Sequence, residues 1–284
     1  MAPFVVVTDS TSNLAPELSD SYEIPVIPLN VHWGDESYLD GQSLTKETFY
    51  RWLKSRSEMP KTSQPSTGVF IDFFRQVAEE RDTDTLLGVF ISAEMSGTLV
   101  SATQAKAQLP DLNIELIDSR SVSMGLGFQV LVAARAAQAG KTLEETKALV
   151  HQCYDSLNVV FAVDTLEYLH RGGRIGGAAR LLGSALNLKP VLTIESGRVE
   201  PLEKVRSRRR SLRRMIQIAE ERLDGDRPTE LAIMEAEAGD DVDWVRDMIV
   251  KNLRPERMYT RVLTPVVGTH GGLGTIGIAF HTVK

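Results

Sequence analysis

The chain has 284 residues, ample for two domains, and its 42% hydrophobic and 25% charged residues are the balance of a water-soluble globular protein with a sizeable core. Its longest apolar runs (Phe4–Val7, Leu86–Ile91) are too short to span a bilayer, its start lacks a basic-then-apolar leader, and the lone Cys153 excludes an internal disulfide framework or a Cys-rich metal site, so the expected location is cytoplasmic. The net charge of −6 argues, as an average, against nucleic-acid or anionic-membrane partners.

In chain order, Phe4–Thr8 reads as a strand and Leu14–Ser21 as a helix, with Asn13 as its cap and Pro16 in its first turn. Ile24–Val31 is strand-like, but Pro25 and Pro28 confine it to an edge or an irregular path. Helices follow at Lys46–Ser55 and Thr67–Glu80, the latter preceded by Ser66. A strand apolar on both faces, Leu86–Ser92, then leads to a helix at Ser96–Gln108 and a strand at Asn113–Asp118. Two helices, Val122–Gln138 and Leu143–Tyr154, complete this half. Apolar strands alternating with helices predict a parallel sheet covered on both faces.

Beyond residue 157 the pattern changes. A strand at Val159–Val163, a short helix at Thr165–Leu169 and a Gly-rich turn precede a helix near Ala178–Asn187. Pro190–Ile194 and Arg198–Val205 flank Glu195-Ser196-Gly197 as a hairpin. A long helix at Ser207–Leu223 is followed by a strand at Glu230–Glu235, a helix at Val242–Asn252, a strand at Met258–Val262, a Gly-rich loop and a strand at Ile276–His281. The expected fold class is α/β in two domains: 1–157 as a parallel-sheet α/β domain and 158–284 as a mixed α+β domain. No flexible linker separates them, so they share a crevice.

Standard catalytic signatures are missing. Gly272-Leu273-Gly274-Thr275-Ile276-Gly277 has the spacing of a dinucleotide fingerprint, but a strand follows it where a helix is required. Gly125-Leu126-Gly127 lacks the third glycine. The sequence has no P-loop, no H-E-x-x-H, no G-x-S-x-G elbow and no histidines at ligand spacing, so no metal site is expected. Cys153, mid-helix, reads as a small packed residue rather than a nucleophile.

Hydroxyl-rich loops remain. Thr8–Ser12, Ser92–Thr98 and Asp118–Ser121 each follow a strand and so share the carboxyl edge of the sheet, where ligands bind. Each could be merely a helix cap; three at one edge favour a site. Ser96-Gly97-Thr98 also opens a helix, whose free amides suit a carboxylate or phosphate. Thr62-Ser63-Gln64-Pro65-Ser66 is a further cluster. Eight of the 21 glycines lie in Arg171–Gly177 and Gly268–Gly274, which set Arg174 and His270 on small-residue platforms. Arginine and histidine near hydroxyls form a carboxylate-binding set. Lys204–Arg214 carries seven of the chain's cations in eleven residues, leaving −13 on the other 273. It is either a solvated face or a phosphate-attracting one, and without interleaved aromatics it argues against single-strand nucleic acid.

Taken in order, Thr8-Asp9-Ser10-Thr11, Thr62-Ser63-Gln64-Pro65, Ser96-Gly97-Thr98 with Ser101-Ala102, Gly173-Arg174-Ile175, Lys189–Leu192, Lys204-Val205-Arg206 and His270–Gly274 resemble the DegV family of bacterial fatty-acid-binding proteins, which includes the acyl-binding subunits of fatty acid kinase. The resemblance spans nearly the whole chain. Glu94-Met95 departs from it, in a loop where members often carry small residues.

The resemblance implies a two-domain protein that holds one long-chain fatty acid between its domains, with no other cofactor. It places the carboxylate at Thr62, Ser63 and Ser96, with His270 close by. It turns Arg174, Arg206 and His270 toward a separate kinase subunit carrying ATP, and leaves open a transient membrane contact for ligand exchange. On this reading the chain has no catalytic residues of its own, and nucleic acid is not a partner. The alternative is a self-contained hydrolase or transferase on a small anion, with Ser96 as nucleophile and His270 as base. It requires those two side chains to meet.

Overall fold

The computed structural model describes residues 3–183 and 188–283. The first half runs β1 (Val5–Asp9), α1 (Pro16–Ser21), β2 (Val26–Ile27), β3 (Asn30–Trp33), β4 (Glu36–Leu39), α2 (Lys46–Ser55), β5 (Lys61–Ser63), α3 (Thr67–Arg81), β6 (Thr85–Phe90), α4 (Thr98–Lys106), β7 (Asn113–Asp118), α5 (Met124–Gln138) and α6 (Leu143–Ser156). The second runs β8 (Asn158–Ala162), α7 (Glu167–Arg171), β9 (Val191–Glu195), β10 (Arg198–Glu203), α8 (Arg208–Leu223), β11 (Glu230–Glu235), α9 (Asp240–Asn252), β12 (Arg257–Val262), α10 (Pro265–Gly271) and β13 (Ile276–His281).

A parallel sheet of order β2-β1-β6-β7 occupies the first half. Its central strand β6 buries both faces, as its unbroken apolar run requires. Phe70 and Phe74 of α3 and Ala102 and Ala105 of α4 cover one face, and α5 covers the other. The second sheet is mixed, of order β10-β9-β8-β13-β11-β12. Side chains alternate along its strands. Ile276, Ile278 and Phe280 of β13, with Leu231 and Ile233 of β11, pack on α8 and α9. The opposite face carries small residues, Gly277, Ala279 and Ala232, beside Met234 and Phe161. A Cβ on Gly277 would stand 2.9 Å from Phe161 Cβ and 3.3 Å from Met234 Cε, so glycine there keeps a furrow open.

Helix α5 lies between the two sheets and is buried on nearly every side, which accounts for its all-round apolar sequence. Its glycines permit this approach. A Cβ on Gly127 would sit 2.6 Å from the Ser12 carbonyl oxygen, and one on Gly125 2.8 Å from Val159 Cγ2. Arg135, near the end of α5, forms a bidentate pair with Glu230 of β11 at 2.5 and 3.0 Å. Cys153 is packed inside α6, and burial pushes its thiol up to about 12.

Several expectations change. Asn13 does not cap α1: it is the left-handed residue ending a 3₁₀ turn at Ser10–Ser12, and α1 starts at Pro16 after Ala15. Ile24–Val31 splits, because Pro28 interrupts the ladder. Val26–Ile27 edges the parallel sheet, while Asn30–Trp33 joins a separate antiparallel sheet of order β4-β3-β5. Of the helix expected near Ala178–Asn187, the described part is a 3₁₀ helix at Gly176–Leu181, and 184–187 lie outside the described residues. The expected loop holding Gly268 and His270 is the helix α10. Thr264 and Pro265, an N-cap type followed by proline at N1, are its starting signal.

Candidate functional site

A cavity lies between the carboxyl edge of the parallel sheet and the small-residue face of the mixed one. Its walls are the loops after β5, β6 and β7, the furrow face of β8, β11 and β13, and α10. Between these walls lies roughly 910 Å³ of non-atom space, counted out into the open mouth. Most of the wall is apolar, from Ile91, Val159, Phe161, Met234, Leu263 and Val266 among others.

The polar groups gather at one place. Strand β5 sets Thr62 opposite Val31, and Thr62 Oγ1 lies 2.8 Å from His270 Nε2 on α10. His270 Nδ1 is buried without a partner and faces Gly172, where a Cβ would come within 2.1 Å of it. The proton therefore belongs on Nε2: this leaves an unpaired lone pair at Nδ1 rather than an unpaired N–H, and it frees the Thr62 hydroxyl to donate outward. Burial, with the positive charge of Arg174 adding to it, pushes the imidazole down to about 4, so His270 is neutral at pH 7.

The other loops close on this pair. Gln64 lies over Gly97, where a Cβ would be 2.8 Å from its Nε2. Ser96 Oγ bonds Thr98 Oγ1 at 2.8 Å and accepts from the Thr98 amide at 3.2 Å. Gly97, the N-cap of α4, offers no side-chain acceptor, and the Ser96 hydroxyl takes the amide of Thr98 instead. Arg174 is aimed by two carbonyls, donating from Nε to Met95 at 3.0 Å and from a terminal nitrogen to Gly172 at 2.9 Å. Neutral donors and a guanidinium around a water-poor cavity end are suited to one carboxylate.

Thr62, Ser63, Ser96, Arg174 and His270 all line this cavity. The hydroxyl of Ser63 is engaged by His32 Nε2 at 2.8 Å. Arg206 is exposed and is not among the lining residues. Ser96 is bonded to Thr98 and His270 to Thr62, so the nucleophile–base contact needed for a hydrolase is not made. Of the three hydroxyl-rich loops, Thr11, Met95 and Ser96 reach the cavity. Asp9 instead accepts from the Ile91 amide at 2.8 Å and from Thr11, and Asp118–Ser121 bonds within itself. Of the unusual Glu94-Met95 pair, Glu94 ion-pairs with Arg198 and Met95 joins the wall.

Asp40 is the residue the sequence hid. It is buried, accepts from Ser10 Oγ at 2.7 Å, and accepts from the Val266 amide in the first turn of α10 at 3.2 Å, so it anchors the helix that carries His270. Burial pushes its carboxyl up to about 6. An isolated aspartate before Gly41 reads as a turn, and nothing local points to a helix 226 residues away.

The basic run is partly neutralised. Arg208 and Arg209 pair with Asp241, and Arg214 with Glu203 and Glu221, while Lys204, Arg206, Arg210 and Arg213 stay exposed. Among the described residues no helix is long and apolar enough to cross a membrane, and no His/Cys/Asp/Glu group could hold a metal ion.

Residues 3–283 match the family model described as "Uncharacterised protein, DegV family". A DegV domain-containing protein of Clostridium acetobutylicum is 35% identical over 283 residues, 98% of each chain. A DegV family protein from Thermus thermophilus, whose structure is described as showing fatty acid binding, superposes with a TM-score of 0.91 at 32% identity, over 99% of this chain and all of the other. DegV from Bacillus subtilis, described as a fatty acid binding protein, superposes at 0.90 with 27% identity, over 99% and 100%.

Proposed function

The chain belongs to the DegV family, and on that premise we propose that it binds a long-chain fatty acid in the cavity and presents the carboxylate for phosphorylation by a separate ATP-dependent kinase subunit. The observation that carries this is an apolar cavity ending in one cluster of neutral hydroxyls, a neutral imidazole and an arginine. The acyl chain supplies the affinity: about 15 methylenes at about 0.8 kcal/mol each is on the order of 12 kcal/mol before ordering costs. Thr62 and Ser96 orient the head group, with Ser63 beside them. The two named relatives, one 32% and one 27% identical, support the ligand class.

The carboxylate is the nucleophile in this scheme, attacking the terminal phosphorus of ATP on the partner to give an acyl phosphate and ADP. Arg174 at the cavity end and exposed Arg206 face that partner and offset the charge of the transferred group, and His270 faces it as a neutral imidazole. Location in the cytoplasm and brief membrane contact for ligand exchange belong to the same proposal.

Mass spectrometry of an organic extract of the purified protein tests the first step. A co-purifying fatty acid, or uptake of added palmitate or oleate, is expected, and neither appearing overturns it. Arg206→Ala should keep its fatty acid but lose acyl-phosphate formation with a cognate kinase; unchanged formation removes Arg206 from the partner face.

A further inference from the structure

Among the described residues, two that line the cavity carry a buried side-chain polar atom without a hydrogen-bond partner: His270, whose Nδ1 is covered by Gly172, and Ser123. Ser123 precedes the first residue of α5 and is 3% exposed. A serine there would ordinarily cap its helix, but its hydroxyl makes no cap bond. Its backbone is engaged at both ends, the amide donating to the Thr11 carbonyl at 2.8 Å and the carbonyl accepting from Gly127 at 2.9 Å. Its φ of 54° and ψ of −141° belong to a region that favours glycine. The serine thus brings neither a cap nor backbone ease, and what it adds is a buried, unpartnered hydroxyl within a cavity wall that is otherwise mostly apolar. No hydrogen bond joins it to Thr62, Ser96, Arg174 or His270.

Resting on the fatty-acid reading above, we infer that Ser123 is a specificity-determining residue and that the cavity takes acyl chains bearing a hydroxyl group along the chain. A saturated chain satisfies the head-group cluster and leaves Ser123 unpaired. A chain hydroxyl at the matching depth pairs with it, and both groups then leave water with a partner. Discrimination by a buried hydrogen bond acts in both directions, since each unpartnered hydroxyl is penalised.

The test is competition binding of stearic acid and a positional series of hydroxystearic acids to the wild type, Ser123→Ala and Ser123→Gly. One positional isomer should bind the wild type at least as tightly as stearic acid and lose about tenfold in both variants, while stearic acid changes less than twofold. Ser123→Gly also relieves the backbone, so it remains folded if Ser123→Ala does not. Hydroxy isomers that are all weaker than stearic acid by the same factor in wild type and variants overturn the inference. Failure of the wild type to bind stearic acid itself overturns the fatty-acid reading instead.

Discussion

Glu230 and His270 both lie where the two halves of the chain meet, and their surroundings differ. Glu230 is wholly buried and its carboxylate is fully subscribed, by Arg135, by Tyr259 at 2.7 Å and by His281 at 3.3 Å. Burial alone would raise its pKa; the hydrogen bonds from His281, Arg135 and Tyr259 hold it well below the usual carboxylate range instead. At the cavity the polar groups are under-subscribed: Ser123 has no partner, His270 has one, and α4 begins without a side-chain cap. One end of the seam uses polarity to lock α5 to the mixed sheet. The other keeps hydrogen-bonding capacity for something absent from the polypeptide.

Breaking the locked end should have the largest effect. Glu230→Ala leaves Arg135 half-buried and unpaired, and thermal or urea unfolding should show a loss of about 3–5 kcal/mol. Removing both head-group hydroxyls, Thr62→Ala with Ser96→Ala, should cost stability about 1–3 kcal/mol for the unpaired His270 N–H, less than Glu230→Ala, but weaken fatty-acid binding at least a hundredfold, at about 1.5–3 kcal/mol per hydrogen bond to a charged group. A large stability loss in that double variant would make the two ends alike and break the comparison.

Asp40 sharpens the contrast further. Its carboxyl binds a proton more tightly folded, at about 6, than unfolded, near 3.8. Its contribution to stability therefore falls as pH rises between those values. Asp40→Asn removes the buried charge, so it should stabilise the protein by about 3 kcal/mol at pH 8 and by little at pH 4. Equal effects at both pH values would remove Asp40 from the titration.

The smallest effect is at His270. Its imidazole is held down to about 4 by burial and by Arg174, so as pH falls from 6.5 toward 4 the unfolded chain takes up the proton first and stability is lost. A carboxylate arriving beside it favours the charged ring. Calorimetry near pH 5.5 in buffers of different ionisation enthalpy should show uptake of a fraction of a proton on binding, absent in His270→Gln.

Much of the fold was legible from local pattern. The bounds of α2, β7, β11 and β13 follow directly from the order of apolar and polar residues. The parallel sheet follows from β6, apolar on both faces; Ser66, expected just before α3, is its cap, whereas Ser207, expected as the first residue of α8, is its cap instead. The three-residue β5 was not legible, because so short a strand has no period of its own and exists only by pairing with β3. The helix at His270 was obscured by its glycines, which serve close packing against Tyr50, where a Cβ on Gly268 would meet the hydroxyl at 2.6 Å.

By itself, the sequence determined most of the longer helices and strands, which of their faces are apolar, and which residue types were available for a carboxylate, because those depend on neighbours a few positions away. Only the tertiary structure decided which of them meet. Thr62 and His270 touch across 208 positions, and Asp40 anchors a helix it never adjoins. Three of the seven cations in the basic run are consumed by Asp241, Glu203 and Glu221. The Ser123 hydroxyl, at the start of α5 between the two sheets, is left without a partner. The physical reason is the same in each case: hydrogen bonds and ion pairs form wherever packing brings the groups together, and packing is settled by the whole chain.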